Sequence, residues 1–442
     1  MNRLRLTMAQ ALVRYLAAQR SEIDGREVPL FAGVFAIFGH GNVAGLGEAL
    51  YAARETLPTL RAHNEQAMAH AAIAFAKASR RRRMMACTSS IGPGATNMVT
   101  AAATAHVNRL PVLFLPGDVF AGRGPDPVLQ QIEDFGDPTR SANDCFRPVS
   151  RWWDRITRPE QLLESLPQAM RVLTDAAACG PATLALPQDV QTEAYDYPAA
   201  FLAPYCWRPL RAPPDPRQLA EAAAAMSKAK APLVIAGGGV HYAAAETLLG
   251  DFAARHGVPV AETQGGKGAL PWDHPLAMGA IGVTGSSAAN ALAAEADLVL
   301  AVGTRLADFT TASRSLFRNP AVTFVQLNAS GFDAAKHGAL ALQCDARAGL
   351  EALARELGPW RAPAKWAAKA RALAEEWNDV AARAMAPTNA ELPSDAQVLG
   401  AVNRASGPRD VVVCAAGGLP GELHKLWRVK TPGTYHVEYG YS

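Results

Sequence analysis

Long apolar runs are missing from this sequence. None reaches the roughly 18 residues that a membrane-crossing helix needs, so no span is expected. Paired cysteines are missing too. Cys87, Cys145, Cys179, Cys206, Cys344 and Cys414 are widely scattered, with no C-x-x-C pair and no histidine cluster at metal spacing. That excludes a disulfide framework or a zinc site and fits reduced thiols in a cytoplasmic protein. Nor is there an excess of one charge: 43 Lys and Arg stand against 40 Asp and Glu, a net +3. A balance so near zero marks neither nucleic acid nor an anionic membrane as a partner. The one basic run, Arg80 to Arg83, closes a helical stretch, where cations offset the dipole, and it reads as a solvated cap. A secretory hydrophobic segment is also lacking. Met1 to Gln19, with Arg3, Arg5 and Arg14 in an amphipathic pattern, reads as the first helix of the fold, not as a transit peptide.

What is present is an α/β chain of 442 residues, long enough for two or three domains with real cores. From Leu30 the pattern strand, glycine turn, helix repeats. Leu30 to Phe38 leads into Gly39-His-Gly-Asn42, Met84 to Ser89 into Gly92-Pro-Gly94, and Pro111 to Pro116 into Gly117-Asp118, with a further strand at Ala182 to Pro187. Continuous apolar strands between helices predict a doubly wound parallel sheet, and its ligands should collect at the carboxyl ends of the strands, where these turns lie. Asp118 to Arg158 has turn chemistry without clear periodicity and is expected to be a substrate-facing loop. Pro187 to Pro216, rich in proline and aromatics, reads as a linker.

A second α/β unit follows, with strands at Pro232 to Ala236, Val258 to Glu262, Leu298 to Val302, Thr323 to Leu327 and Ala339 to Gln343. Its Gly237-Gly-Gly239 lacks the spacing of a dinucleotide fingerprint and reads as a tight turn. A charged helix from Trp366 to Ala384 suits an exposed connector. A third unit then starts with the strand Val411 to Ala415, the turn Ala416 to Gly421 and a strand-like Tyr435 to Tyr439. About fifty residues are too few for that unit to complete a sheet alone.

The chemistry concentrates at Arg61-Ala-His-Asn-Glu-Gln-Ala-Met-Ala-His70. Glu65 opens a small, apolar helix, where the dipole tolerates a carboxylate, and Ala67, Met68 and Ala69 could give it an apolar setting that favours a held proton. Alone it would be a solvated first-turn acid. Together with Gly92-Pro-Gly-Ala-Thr-Asn97 it resembles the pyrimidine-binding domain of the thiamine diphosphate enzymes of the acetolactate synthase type. Gly265-Gly-Lys-Gly-Ala-Leu-Pro271 and Ala296 to Arg305 resemble their central domain. The similarity covers nearly the whole chain in the right order. Three further segments, Ile37 to Gly47, Gly117 to Phe120 with Pro125 to Gln130, and Leu423 to Trp427 with Tyr435 to Tyr441, resemble the branch that opens cyclic 1,2-diketones in inositol catabolism.

The resemblance implies four parts: a pyrimidine-binding domain at 1–190, a central α/β domain at 205–357, a linker with its connector helix at 358–392, and the start of a diphosphate-binding domain at 393–442. It implies thiamine diphosphate as cofactor, with the Glu65 carboxyl bonding the pyrimidine N1′ and Pro93 and Asn97 lining that ring. His40 and Asn42 are expected to approach the cofactor, with a plain turn as the alternative, and Gln130 and Gln131 to face the substrate. His63 and His70 read as structural or surface residues. The implied magnesium ion would be held by a Gly-Asp-Gly motif and a later Asn, which this sequence does not contain, so a C-terminal truncation is expected and no metal ligand is assigned. The implied reaction is hydrolytic ring opening of a trihydroxylated cyclohexane-1,2-dione to 5-deoxy-glucuronate, by a homodimer or homotetramer. An acetolactate-type carboligase or decarboxylase and a non-catalytic remnant are the alternatives, and a flavin or other nucleotide in the central unit stays open.

Overall fold

A computed structural model describes the chain except Met1, Arg123, 125–128, Gln131, Glu133, Phe135, Glu438, Tyr439 and Ser442. It forms two compact units, Met1–Pro209 with Tyr441, and Leu210–Gly440.

In the first unit the strands are β1 (Arg3–Thr7), β2 (Gln19–Ile23), β3 (Arg26–Pro29), β4 (Phe31–Ala36), β5 (Thr59–Arg61), β6 (Met84–Ser89), β7 (Leu113–Asp118), β8 (Trp152–Arg155), β9 (Ala182–Pro187), β10 (Ala194–Pro198) and β11 (Tyr205–Trp207). A six-stranded sheet of order β5-β4-β6-β7-β9-β8 carries the site, and its pairs are all parallel. Strands β6, β7 and β9 are buried along their whole length, the expected signature of a parallel sheet covered on both faces. Leu12 and Leu16 from the helix Met8–Ala18, and Leu166 and Met170 from the helix Leu162–Thr174, pack against Phe31, Val34 and Leu113 of this sheet.

Three readings of the sequence change here. The chain opens with β1, not with a helix, because Arg3 to Thr7 pairs antiparallel with β10, and Thr7 then caps the helix that follows. The proline-rich stretch after Pro187 is not bare linker: β10 holds β1, and β11 pairs parallel with β2. The long loop contains a 3₁₀ turn, Ala142–Val149, and then β8. Each was hidden because its strand is short and finds its partner far away in sequence.

In the second unit β12 (Pro232–Ala236), β13 (Val260–Glu262), β14 (Ala277–Ala280), β15 (Leu298–Val302), β16 (Thr323–Asn328) and β17 (Leu340–Gln343) form a sheet of order β14-β13-β12-β15-β16-β17. Alternate residues of its strands feed two cores. Val234, Leu300 and Val302 face one, while Leu233, Ile235 and Val299 face the other. The helix Ala364–Ala384 is more than an exposed connector: Trp366, Ala370 and Ala374 pack into the second core, and the Trp366 indole donates to the Pro232 carbonyl. Gly237 and Gly239 have a packing reason. A Cβ at Gly237 would lie 2.5 Å from the Gly303 carbonyl oxygen, and one at Gly239 2.6 Å from the Gly303 Cα. The last strands, β18 (Val412–Cys414) and β19 (Tyr435–Val437), form a two-stranded parallel pair. Among the described residues no helix is long and apolar enough to cross a membrane.

Candidate functional site at the carboxyl ends of the first sheet

Asn64 makes the start of this site. Its side chain accepts from the Ala67 N–H at 2.9 Å, capping the helix Glu65–Ala78, so Glu65 is the first helical residue. The turn that follows β6 brings the partner. Asn97 Nδ2 donates to Glu65 Oε2 at 2.8 Å, and a Cβ on Gly94 would lie 3.2 Å from Glu65 Oε1. A glycine is therefore what lets the 92–97 turn lie flat against the carboxylate. The setting is less apolar than the sequence suggested. Met68 and Ala69 are buried, but Ala67 is exposed and Glu65 itself is half-buried. The helix turns its apolar face to β6, and its first turn stays open.

Pro93 is the first residue of the short helix Pro93–Thr96 and is exposed, and its carbonyl accepts from the Asn97 N–H at 3.1 Å. Proline suits that position, because the missing N–H would have had no helical partner. Gly92 sits at φ +68, and a Cβ there would lie 1.8 Å from the Gln130 carbonyl oxygen. The loop after β7 thus rests on the Gly92 turn.

His40 and Asn42 follow β4 and part company. His40 Nε2 donates to the Leu129 carbonyl at 2.9 Å. Asn42 is buried, and its amide is taken up by the fold: Oδ1 accepts from Gly39 N, while Nδ2 donates to the Ile37 carbonyl and to Thr88 Oγ1. Gln191, which the sequence gave no reason to notice, is likewise buried. It donates to the Gly41 and Leu186 carbonyls and accepts from Leu46 N. The turns after β4 and β7 touch backbone to backbone, since a Cβ on Gly117 would stand 2.6 Å from the Gly41 carbonyl oxygen.

The structure thus joins Glu65, Gly94 and Asn97 directly, and joins Gly92 and His40 to the backbone of Gln130 and Leu129. Gln131 lies outside the described residues. His63 is exposed and His70 half-buried on the helix that Glu65 opens. Also unanticipated is the buried Asp118 at the end of β7, whose Oδ2 accepts from Arg155 Nε at 2.6 Å. A lone arginine in a long loop carries no pattern that sets it apart.

Residues 31–136 match the model of the thiamine pyrophosphate enzyme N-terminal TPP binding domain, and 219–353 that of the thiamine pyrophosphate enzyme central domain. Proteins named 3D-(3,5/4)-trihydroxycyclohexane-1,2-dione hydrolase are similar along the whole chain. The one from Clostridium tetani is 45% identical, and one from Bacillus cereus and one from Geobacillus thermodenitrificans are each 46% identical. Each match takes in 100% of this chain and 72% of the relative. The chain belongs to the trihydroxycyclohexanedione hydrolase family of thiamine pyrophosphate enzymes.

For a member of that family the geometry of the first unit is intelligible. The carboxylate is half-buried, held at Oε2 by the Asn97 amide and flanked at Oε1 by Gly94. A carboxyl with one uncommitted oxygen is the kind of group that could bond a ring nitrogen, so the residues present are compatible with the pyrimidine end of the cofactor. Among the described residues no group of three or more His, Cys, Asp or Glu could hold a metal ion.

Proposed function

We propose that this chain acts in the thiamine diphosphate-dependent hydrolysis of 3D-(3,5/4)-trihydroxycyclohexane-1,2-dione, a step of inositol breakdown, with Glu65 as the residue that handles the cofactor's proton. The observation that carries the reading is the Glu65–Asn97 hydrogen bond over the Gly92–Gly94 turn. When bound, thiamine diphosphate supplies a nucleophilic carbon and an electron sink for breaking a carbon–carbon bond. Glu65 Oε1, the oxygen that Asn97 Nδ2 leaves free, would hold the proton bonded to the pyrimidine nitrogen, with Asn97 fixing the carboxyl through Oε2. Pro93, which opens the helix Pro93–Thr96, and Asn97 would line that ring. Gln130 and Gln131 are proposed to face the substrate and His40 to lie near the reacting end. Asn42 is proposed to serve that site by shaping the turn that presents His40. The overall change is balanced by one water: the bond between the two carbonyl carbons breaks, one carbon gains hydroxyl and leaves as a carboxylic acid, and the other gains hydrogen and leaves as an aldehyde.

A magnesium ion is proposed beside the diphosphate, with ligands outside the described residues. We also propose that the enzyme is a homodimer or homotetramer with no nucleic-acid or membrane partner. All six cysteines are free thiols, which supports a reducing, cytoplasmic location. The domain limits drawn from the sequence, with a pyrimidine-binding part to 190 and a diphosphate-binding part from 393, are kept as part of this proposal.

The test is to supply the purified protein with the cyclic dione or with pyruvate, cofactor and magnesium present. Ring opening that releases one acid per dione is expected. Pyruvate consumption without ring opening would replace the reading by an acetolactate-type one. Glu65→Gln should lower turnover by about a hundred-fold or more, the usual share of a general acid–base group, while leaving the melting temperature unchanged. Calorimetry with thiamine diphosphate, with and without magnesium, reads cofactor capture separately; no binding under either condition supports a non-catalytic chain.

A further inference from the structure

One guanidinium gathers the far end of the long loop. Arg155, the last residue of β8, has a side chain only 14% exposed, and Asp118 beside it is 0% exposed. Its Nε donates to Asp118 Oδ2 at 2.6 Å, Nη1 to the Thr139 carbonyl at 2.7 Å, and Nη2 to Ser141 Oγ at 2.9 Å and Asp144 Oδ2 at 3.1 Å. Asp144 is itself held by the Ser141 N–H and by Arg147 Nε. The Arg147 guanidinium covers the Trp153 ring at 3.7 Å. Arg155 is therefore bound to three segments at once: the end of β7, the loop at 139–141 and the 3₁₀ turn at 144. Only a planar fork with donors at several angles can do that.

The near end of the loop is held separately. Asp189 accepts from the Ala121 and Gly122 N–H groups at 2.9 and 2.8 Å. Between these anchors the backbone of Leu129 meets His40, and that of Gln130 meets Gly92. A cavity of about 490 Å³ lies beside the far anchor, lined by Arg140, Arg147, Arg155, Asp137 and Asp144 among others. None of these contacts includes Glu65 or Asn97; they tie the end of β7 to 139–144.

We propose that Arg155 is a positioning residue that seats the 139–144 segment at the end of β7, and through it Leu129 and Gln130 against the His40 and Gly92 turns, and so sets how substrate is gripped without touching the reacting atoms. The substrate half of this statement rests on the function proposed above. The loop half does not.

One variant and two measurements separate these halves. Arg155→Lys keeps a charge beside the buried Asp118 but cannot reach Thr139, Ser141 and Asp144 together. Hydrogen exchange on the chain without substrate is expected to quicken at least ten-fold at Leu129–Gln130 and 139–144 in Arg155→Lys, while Ala121–Gly122, which Asp189 holds, and β4, β6 and β7 stay protected. Unchanged exchange in the loop overturns the proposal, as does equal loosening of loop and strands in the lysine variant. In the dione assay Arg155→Lys is expected to raise KM about ten-fold with kcat within about three-fold. A fall in kcat at constant KM overturns the positioning role. If the unaltered protein opens no dione, the functional reading fails, and the exchange result still decides whether Arg155 seats the loop.

Discussion

Asn42 shows how a polar residue at the mouth of a site can be structural. Its amide closes the Gly39 turn on one side and reaches the Thr88 hydroxyl on the other, and Thr88 passes the tie to the Leu115 carbonyl. Three neighbouring strands, β4, β6 and β7, are thereby bridged through one buried side chain. Truncation to alanine leaves the half-buried Gly39 N–H and Ile37 carbonyl, and the buried Thr88 hydroxyl, without this partner. Asn42→Ala should therefore cost about 1–3 kcal/mol of stability, readable as a lower urea midpoint at constant slope. His40, one turn away, contributes no such network, and His40→Ala should leave the midpoint nearly unchanged. A pair of residues that look equivalent in sequence thus separates by burial alone.

At the scale of elements, the helix Gly418–Leu426 is fastened to the central sheet by a buried polar group. His424 Nδ1 bonds Thr284 Oγ1 at 2.8 Å, close to Lys267, whose Nζ stands 3.8 Å from Glu262 Oε2. Burial, with repulsion from Lys267 and Lys425 and against the upward pull of backbone hydrogen bonding at Thr263 and Glu262, brings the His424 imidazole down to about 3. The unfolded chain protonates this imidazole near its ordinary value of about 6.5, so below that pH the unfolded state binds a proton that the folded state refuses. The stability that comes from a neutral His424 is complete above about pH 6.5 and is lost as pH falls toward 3. One such proton is worth up to about 1.4 kcal/mol per pH unit. Burial lowers His256 and His274 as well, and both act in the same direction. Urea unfolding between pH 4.5 and 7.5 should show a slope in stability that His424→Asn, which can still bond Thr284, reduces by about one proton.

Across the whole molecule, apolar surface is distributed unevenly. Around β18 the structure leaves Val411 56% and Val413 73% exposed, and Val398 and Val402, four residues apart on the helix Asp395–Ala405, are 43% and 48% exposed. Exposed valines on and next to a short, two-stranded pair favour association of exposed surfaces. Sedimentation or light scattering over rising protein concentration should show self-association, and Val411→Thr combined with Val413→Thr should move it to several-fold higher concentration. An unchanged concentration dependence would place the contact elsewhere on the chain.

Much of this protein was legible from sequence because the governing interactions are local or periodic. Apolar strands ending in glycine turns announce a parallel sheet, and a parallel sheet puts its ligands at the carboxyl ends of its strands. Glu65, Pro93 and Asn97 could be singled out because two short motifs resemble those of the thiamine diphosphate enzymes; the turn pattern alone would not have marked them. Only the tertiary structure decided the rest. It paired β1 with β10 across nearly 200 residues, drew Gln191 under the Gly41 turn, and brought Arg155 to Asp118 from opposite ends of a long loop. It also turned Asn42 inward and left Glu65 half-open, where the sequence had put a polar turn residue and an apolar-lined acid. The physical reason is the same in each case. Burial and long-range hydrogen bonds depend on which backbones meet, and a single sequence records what each residue can do without recording which neighbours it will find.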